Sequence, residues 1–264
     1  MKRILLFFIC SLAFSQTTYS KECVILLHGL AKTNHSMENI SSSLVDEGYI
    51  TVNYDYPSRA NSIETLAQTH IKKALKQCPK EATIHFVTHS LGGILVRQYL
   101  HANAIPDLGK VVMLGPPNQG SEVVDNLREL PGYARFGGPA SLELGTGPDS
   151  VPAKLGPANF DLGIIAGSRS INLILSTLLP NQDDGKVSVD NTKLSGMNDH
   201  ITLPVTHPFM MKNDRVISEI KHFLKNGSFS NNTNQTKPTN TKTYADLFFG
   251  AFFQKPKAPN DAYL

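Results

Sequence analysis

The sequence predicts one α/β domain built on a doubly wound, mostly parallel sheet with helices on both faces. Three observations carry this expectation. Short, wholly apolar runs such as Val24-Ile25-Leu26-Leu27 and Val111-Val112-Met113-Leu114 have the composition of central strands covered on both sides. Segments with apolar residues at helical spacing separate them, so the N-terminal part of the chain alternates β, α, β, α, β, α. The third is Ile84-His85-Phe86-Val87-Thr88-His89-Ser90-Leu91-Gly92-Gly93, a buried strand turning abruptly into a helix with a serine on the turn. In such sheets, ligands and reacting groups gather at the C-terminal edge of the strands. A functional residue should therefore follow a strand, not precede one.

The elements follow in order. The first strand opens at Cys23 and ends in His28-Gly29-Leu30. Met37, Ile40, Leu44 and Val45 mark one face of the next helix, which Gly48 stops. Residues 49–54 form the second strand, ended at Asp55-Tyr56-Pro57. Asn61 and Glu64 form a capping-box-like pair for a helix with Ile63, Leu66, Ala67, Ile71, Ala74 and Leu75 on its apolar face, closed by Pro79. After the strand at 111–114 comes the loop Gly115-Pro116-Pro117-Asn118-Gln119-Gly120-Ser121, then a Gly- and Pro-rich stretch to about residue 160, read as loops with one short helix over 121–130. A strand follows at 161–167. Residues 170–180 are strongly apolar and read as a core-packed helix, with a greasy pocket wall as the alternative. A loop at 181–187 leads to a last strand over 200–205, placed at an edge because Pro204 cannot donate to a ladder. A closing helix, capped by Asn213 or Asp214, ends at Gly227.

The chain has 264 residues, 41% hydrophobic and 18% charged, which suits a single domain over 21–227 with a sizeable core. A formal charge of +3, with the basic residues scattered, points away from nucleic acid. Lys2 and Arg3 precede an apolar run over 4–14 that is too short to span a bilayer, and small residues follow it. Residues 1–20 therefore read as a secretory signal peptide cleaved after Ser20, which makes the mature protein secreted or periplasmic. An uncleaved anchor is the alternative. Export leaves Cys23 and Cys78 as a pair in an oxidising compartment. If the strands they introduce are parallel neighbours, both cysteines fall at the N-terminal ends, so a structural disulfide is expected, against two buried thiols. Residues 228–243 have the composition of a disordered polar linker. The aromatic tail at 244–264, with four Phe in 244–253, offers a membrane contact, a partner contact or packing on the domain itself.

A serine hydroxyl needs a base to become a nucleophile, and the base needs a carboxylate to hold its tautomer. The turn at Ser90 has the strand–turn–helix context of a nucleophile elbow, with Thr88 where the pattern expects its first glycine and Gly92 supplying the second. Of nine histidines, only His28 and His207 end strands at the correct edge, and His28 falls where a backbone donor is wanted. His207 is therefore the expected base. Asp183, Asp184, Asp190 and Asp199 compete as the acid; Asp184, before Gly185 in the loop after a strand, is chosen. The amides of Leu91, at a helix N-terminus, and of Leu30, in the first βα loop, are the expected oxyanion donors.

These motifs, His28-Gly29-Leu30, Thr88-His89-Ser90-Leu91-Gly92-Gly93, 115–121, Asp184-Gly185-Lys186-Val187 and His207, occur in the order found in α/β-hydrolases of the lipase/esterase kind and cover nearly all of 21–225. The chain resembles small secreted bacterial lipases and the related GPI-inositol-deacylase-like group. The resemblance implies hydrolysis of a lipid or acyl ester through an acyl-serine, without a cofactor. The same residues would serve an acyltransferase or a thioesterase. A non-catalytic binding protein on this scaffold is the reading from another class.

Overall fold

The computed structural model describes residues 21–170, 179 and 182–230. The expected leader at 1–20, most of the apolar segment at 171–178, and the linker and tail from 231 onward lie outside the described residues.

The sheet has six strands: β1 (Glu22–Leu27), β2 (Ile50–Tyr54), β3 (Thr83–His89), β4 (Leu108–Leu114), β5 (Leu162–Gly167) and β6 (Asp199–Leu203). They are ordered β2-β1-β3-β4-β5-β6, and every pairing is parallel. The order reverses direction beside β1 and β3, which places the loops after those two strands at the switch point. Helices α1 (Glu38–Asp46), α2 (Ile63–Leu66), α3 (Lys72–Leu75), α4 (Leu91–Ala102), α5 (Glu122–Leu127), α6 (Tyr133–Gly137), α7 (Pro139–Leu142), α8 (Val151–Lys154), α9 (Val189–Thr192) and α10 (Asp214–Asn226) fill the connections.

The apolar strands divide their side chains between two cores. Cys23, Ile25 and Leu27 of β1 face a core shared with Ile63, Leu66, Ile94 and Leu95. Val24 and Leu26 face the opposite one, with Ile40, Leu44, Val216, Ile220 and Phe223. This two-residue alternation into two buried faces is why β1 has no polar side in the sequence. Gly163 has its own reason: a Cβ there would lie 2.5 Å from the Phe223 ring, so β5 yields the space that a fully buried phenyl of α10 occupies. Truncating such a phenyl to Ala typically costs about 3–5 kcal/mol.

Cys23 and Cys78 form a disulfide with a Cα–Cα distance of 5.9 Å, spanning a sequence separation of 55. Closing a loop of that size restricts the unfolded chain and stabilises the fold by roughly 2–4 kcal/mol. The bridge lies at the start of β1, at the opposite edge from Ser90.

Four expectations change. The cap of α2 is Ser62, whose hydroxyl accepts from Thr65 N–H, rather than Asn61; serine and asparagine cap equally well, so their adjacency hid the register. The helix that begins with α2 passes through a π turn (Ala67–Ile71) before α3, which turns Ile71 and Ala74 onto the core together. The Gly- and Pro-rich stretch contains α5, α6, α7 and α8 rather than one helix, because Pro139 and Pro152 sit in first turns, where their missing N–H is harmless. The packed chain also continues past Gly227: Phe229 is buried against Phe223, and Ser230 donates to the buried Glu219 carboxylate.

Candidate active site

Ser90 joins β3 to α4 with φ 52° and ψ −120°, a conformation a non-glycine residue rarely adopts. Such backbone costs of order 1–3 kcal/mol and persists only where the surroundings impose it. Here its N–H donates to Leu114 O at 2.9 Å, anchoring the turn to β4. The small residues around it have separate roles. A Cβ on Gly92 would lie 2.7 Å from Leu27 O, so only glycine lets α4 pass over the end of β1. A Cβ on Gly93 would approach Met113 Sδ at 3.0 Å and Thr88 Oγ1 at 3.2 Å. Gly93 thus leaves room for Thr88, the residue that replaces the first glycine of the elbow pattern.

His207 begins the turn after β6. Its N–H donates to Asp184 O at 2.9 Å, and its Nδ1 donates to Asp184 Oδ2 at 2.7 Å. The other carboxylate oxygen, Oδ1, accepts from the Lys186 and Val187 amides, each at 3.0 Å. Asp184 is 1% exposed and His207 8%. A buried carboxylate with both oxygens engaged is fixed in place and keeps the Nδ1–H tautomer, which leaves Nε2 as the basic nitrogen. Gly115 closes over the pair: its φ is 51°, and a Cβ there would lie 2.8 Å from Asp184 Oδ2 and 3.0 Å from His207 Nδ1.

The competing acids are occupied elsewhere. Asp183 accepts from Gly185 N–H at 2.6 Å and shapes the turn. Asp190 pairs with Lys193, and Asp199 accepts from Phe229 N–H. The other strand histidines are also engaged. His85 Nδ1 accepts from Lys110 N–H, and His200 Nε2 bonds Thr192 Oγ1.

Two buried histidines support the site. His89 Nε2 lies 3.0 Å from His207 O; a carbonyl can only accept, so Nε2 carries the proton. Burial, and then the charge His207 would carry, hold the His89 pKa well below the usual value, so its ring is neutral. His28 is stacked on Tyr56 with ring centroids 4.2 Å apart, and Tyr56 Oη donates to His28 O at 2.6 Å. Burial likewise lowers the His28 pKa.

The loop after β1 turns back on itself through Lys32 N–H to Gly29 O at 3.2 Å, with Ala31 at φ 55°. The Ala31 amide donates to Ser58 Oγ at 3.0 Å. Among the described residues no hydrogen bond takes the Leu30 or Leu91 amide. Tyr56 and Ser58 were not singled out in the sequence. Their one signal there is position, directly after β2 at the same edge as the other site loops.

Ser90, Asp184, His207 and Leu30 line one cavity of about 410 Å³, with His89, Pro117, Val123, Val124, Leu127, Tyr133 and Leu144 among its other walls. This is within the range of small-molecule sites. Leu91 lies directly behind Ser90 with its side chain fully buried, and the disulfide is remote. The arrangement brings a half-buried serine on a strained turn, an imidazole whose Nε2 has no hydrogen bond among the described residues, and the loop of the unbonded Leu30 amide to the lining of a largely apolar chamber. These are the parts that acyl transfer to serine requires.

No protein-family model matches the chain, and no curated protein matches it. Solved structures do. The mature form of the Bacillus licheniformis lipase BlEst2 superposes with a TM-score of 0.59 at 18% identity, covering 78% of this chain and 93% of that one. Phospholipase PlaB from Legionella pneumophila gives 0.56 at 17% identity, over 66% of this chain and 46% of that one. The type II thioesterase YbtT of the yersiniabactin pathway gives 0.55 at 13% identity, over 81% and 96%. The chain has the α/β-hydrolase fold.

Proposed function

We propose that the protein is a serine hydrolase of carboxylic esters, acting on a lipid or acyl ester through an acyl-serine. One observation carries the reading: a serine held at positive φ opens into the same apolar cavity as an imidazole whose Nδ1 is fixed 2.7 Å from a buried carboxylate. Ser90 Oγ attacks the ester carbonyl while His207 Nε2 takes its proton. Asp184 stabilises the resulting imidazolium, and the Leu30 and Leu91 amides meet the oxyanion. The C–O bond to the alcohol then breaks, with His207 returning the proton to the leaving oxygen. Water, deprotonated by the same imidazole, attacks the acyl-serine and releases the acid.

Export is part of the proposal. It rests on the basic and apolar N-terminus and agrees with the Cys23–Cys78 disulfide. No helix among the described residues is long and apolar enough to cross a membrane. The test is Ser90→Ala measured on a short p-nitrophenyl ester, with fluorophosphonate labelling of the parent protein, which should be labelled, and of the variant. Loss of hydrolysis and of labelling, with an unchanged circular dichroism spectrum, supports the reading; full hydrolysis by the variant rejects it. An acyl thioester assayed beside the oxygen ester separates esterase from thioesterase action.

A further inference from the structure

We propose that Lys32 and Lys186 bracket the cavity mouth as an anion-recognition pair, so that the substrate is an acyl ester whose alcohol part carries a negative group such as phosphate. The inference rests on the ester-hydrolase reading above and narrows its substrate.

The cavity is chemically two-sided. Val123, Val124 and Leu127 of α5, with Tyr133 and Leu144, form an apolar wall suited to an acyl chain. The cations come from elsewhere. Lys32 follows β1 and Lys186 follows β5, strands on opposite sides of β3 in the sheet, so the two loops approach Ser90 from both flanks. Both lysines are exposed, and among the described residues neither ammonium has an ion pair or hydrogen bond. Among the described residues Asp184 is the one carboxylate lining the cavity, and it is buried and engaged by His207 and two amides. The mouth therefore carries two positive charges, with no exposed negative charge among the described lining residues to balance them.

The backbones of both lysines are already fixed. Lys32 N–H closes the turn to Gly29, while Lys186 donates to Asp184 and accepts from Ser121 Oγ at 2.8 Å. Replacing either side chain leaves those bonds in place. Two cations at a concave, apolar-walled opening focus their field into it and favour an anion there over a neutral group of the same size. With the acyl chain along the α5 wall and the carbonyl at Ser90, the remaining part of the ester, its alcohol, faces the lysines.

The test is equilibrium binding to the full chain by titration calorimetry at low salt, below micelle formation. Three probes are compared: octyl phosphate, octyl glucoside and glycerol 3-phosphate. Octyl phosphate should bind about tenfold or more tightly than either of the others, a difference of about 1.4 kcal/mol. Its advantage over octyl glucoside should collapse toward one in the Lys32→Gln/Lys186→Gln double variant, and in the parent protein at high salt. Equal affinities in the parent protein, a preference that survives the double substitution, or no binding by any probe overturns the proposal. Glycerol 3-phosphate binding as tightly as octyl phosphate overturns it too, since the apolar wall would then contribute nothing. The assay does not depend on turnover. Failure here with Ser90 of the parent protein still labelled by fluorophosphonate leaves the hydrolase reading standing, whereas a parent protein that is not labelled sinks that reading and the ester part of this one, while the preference for octyl phosphate still reports on the lysine pair.

Discussion

The side chain of His89 holds the backbone of His207: Nε2–H of the first donates to the carbonyl of the second at 3.0 Å, with the rings 4.6 Å apart. The residue just before Ser90, the proposed nucleophile, thereby fixes the segment that carries His207, the proposed base. The opposite ring nitrogen, Nδ1, is buried without a partner among the described residues and faces Gly29, where a Cβ would lie 2.7 Å away. One ring therefore touches the loop after β1, the turn at Ser90 and His207.

His89→Leu should remove that donor and lower kcat about 10- to 100-fold, the order expected when a reacting group shifts by about an ångström. His89→Gln, which can place an N–H near the position of Nε2, should recover most of it. KM should change little in both variants. Steady-state kinetics of the two, beside thermal melts, separates a positioning role from general loss of structure; equal activity of the Leu and Gln variants would count against it.

Gly115→Ala should lower both stability and activity. The new methyl meets Asp184 Oδ2 at 2.8 Å and stands on a residue with φ 51°. The strained backbone alone costs roughly 1 kcal/mol or more. Displacing the carboxylate from His207 should reduce kcat at least about tenfold. An unchanged kcat in the folded variant would show that the Asp184–His207 geometry does not limit the rate.

Reducing the Cys23–Cys78 bridge, or replacing both cysteines by Ser, should lower stability by about 2–4 kcal/mol. Activity well below the melting temperature should persist, because the bridge lies at the N-terminal edge of the sheet and Ser90 at the other. Denaturant titration with and without reductant, with ester hydrolysis followed in parallel, checks both parts.

The fold should also weaken in mild acid. Burial lowers the pKa of His28, His85 and His89 from the ordinary 6.5. Below pH 6.5 the unfolded chain binds protons at these positions before the folded one does. Stability is therefore full above that pH and falls as pH drops toward the folded-state pKa values. The slope is up to about 1.4 kcal/mol per histidine per pH unit. Thermal melts at pH 7.5, 6.5 and 5.5 (values chosen around this window) measure it, and His85→Gln should flatten the slope.

Legibility in the sequence divides along a physical line. Whatever depends on a short window was readable. The two-faced burial of β1 produces an unbroken apolar run, and the crowding beneath Ser90 demands glycines at fixed offsets. The alternation of elements then makes the strands parallel and sets the edge at which Ser90, Asp184 and His207 emerge, while the strand order itself came only from the structure. Local signals failed where two residues were equivalent, as with Asn61 and Ser62, or where prolines hid short helices between 121 and 160.

What the chain alone determined, then, was the alternating β/α architecture, the cysteine pair and the residue types that could do chemistry at one edge. The tertiary structure decided which groups touch. That His89 grips His207, that Gly115 must have no side chain, and that Tyr56 and Ser58 brace the loop at Leu30 are contacts between segments remote in sequence. Helical and strand periodicity record which face of an element is buried, but not which neighbour covers it; that is set only when the sheet twists and its loops pack together.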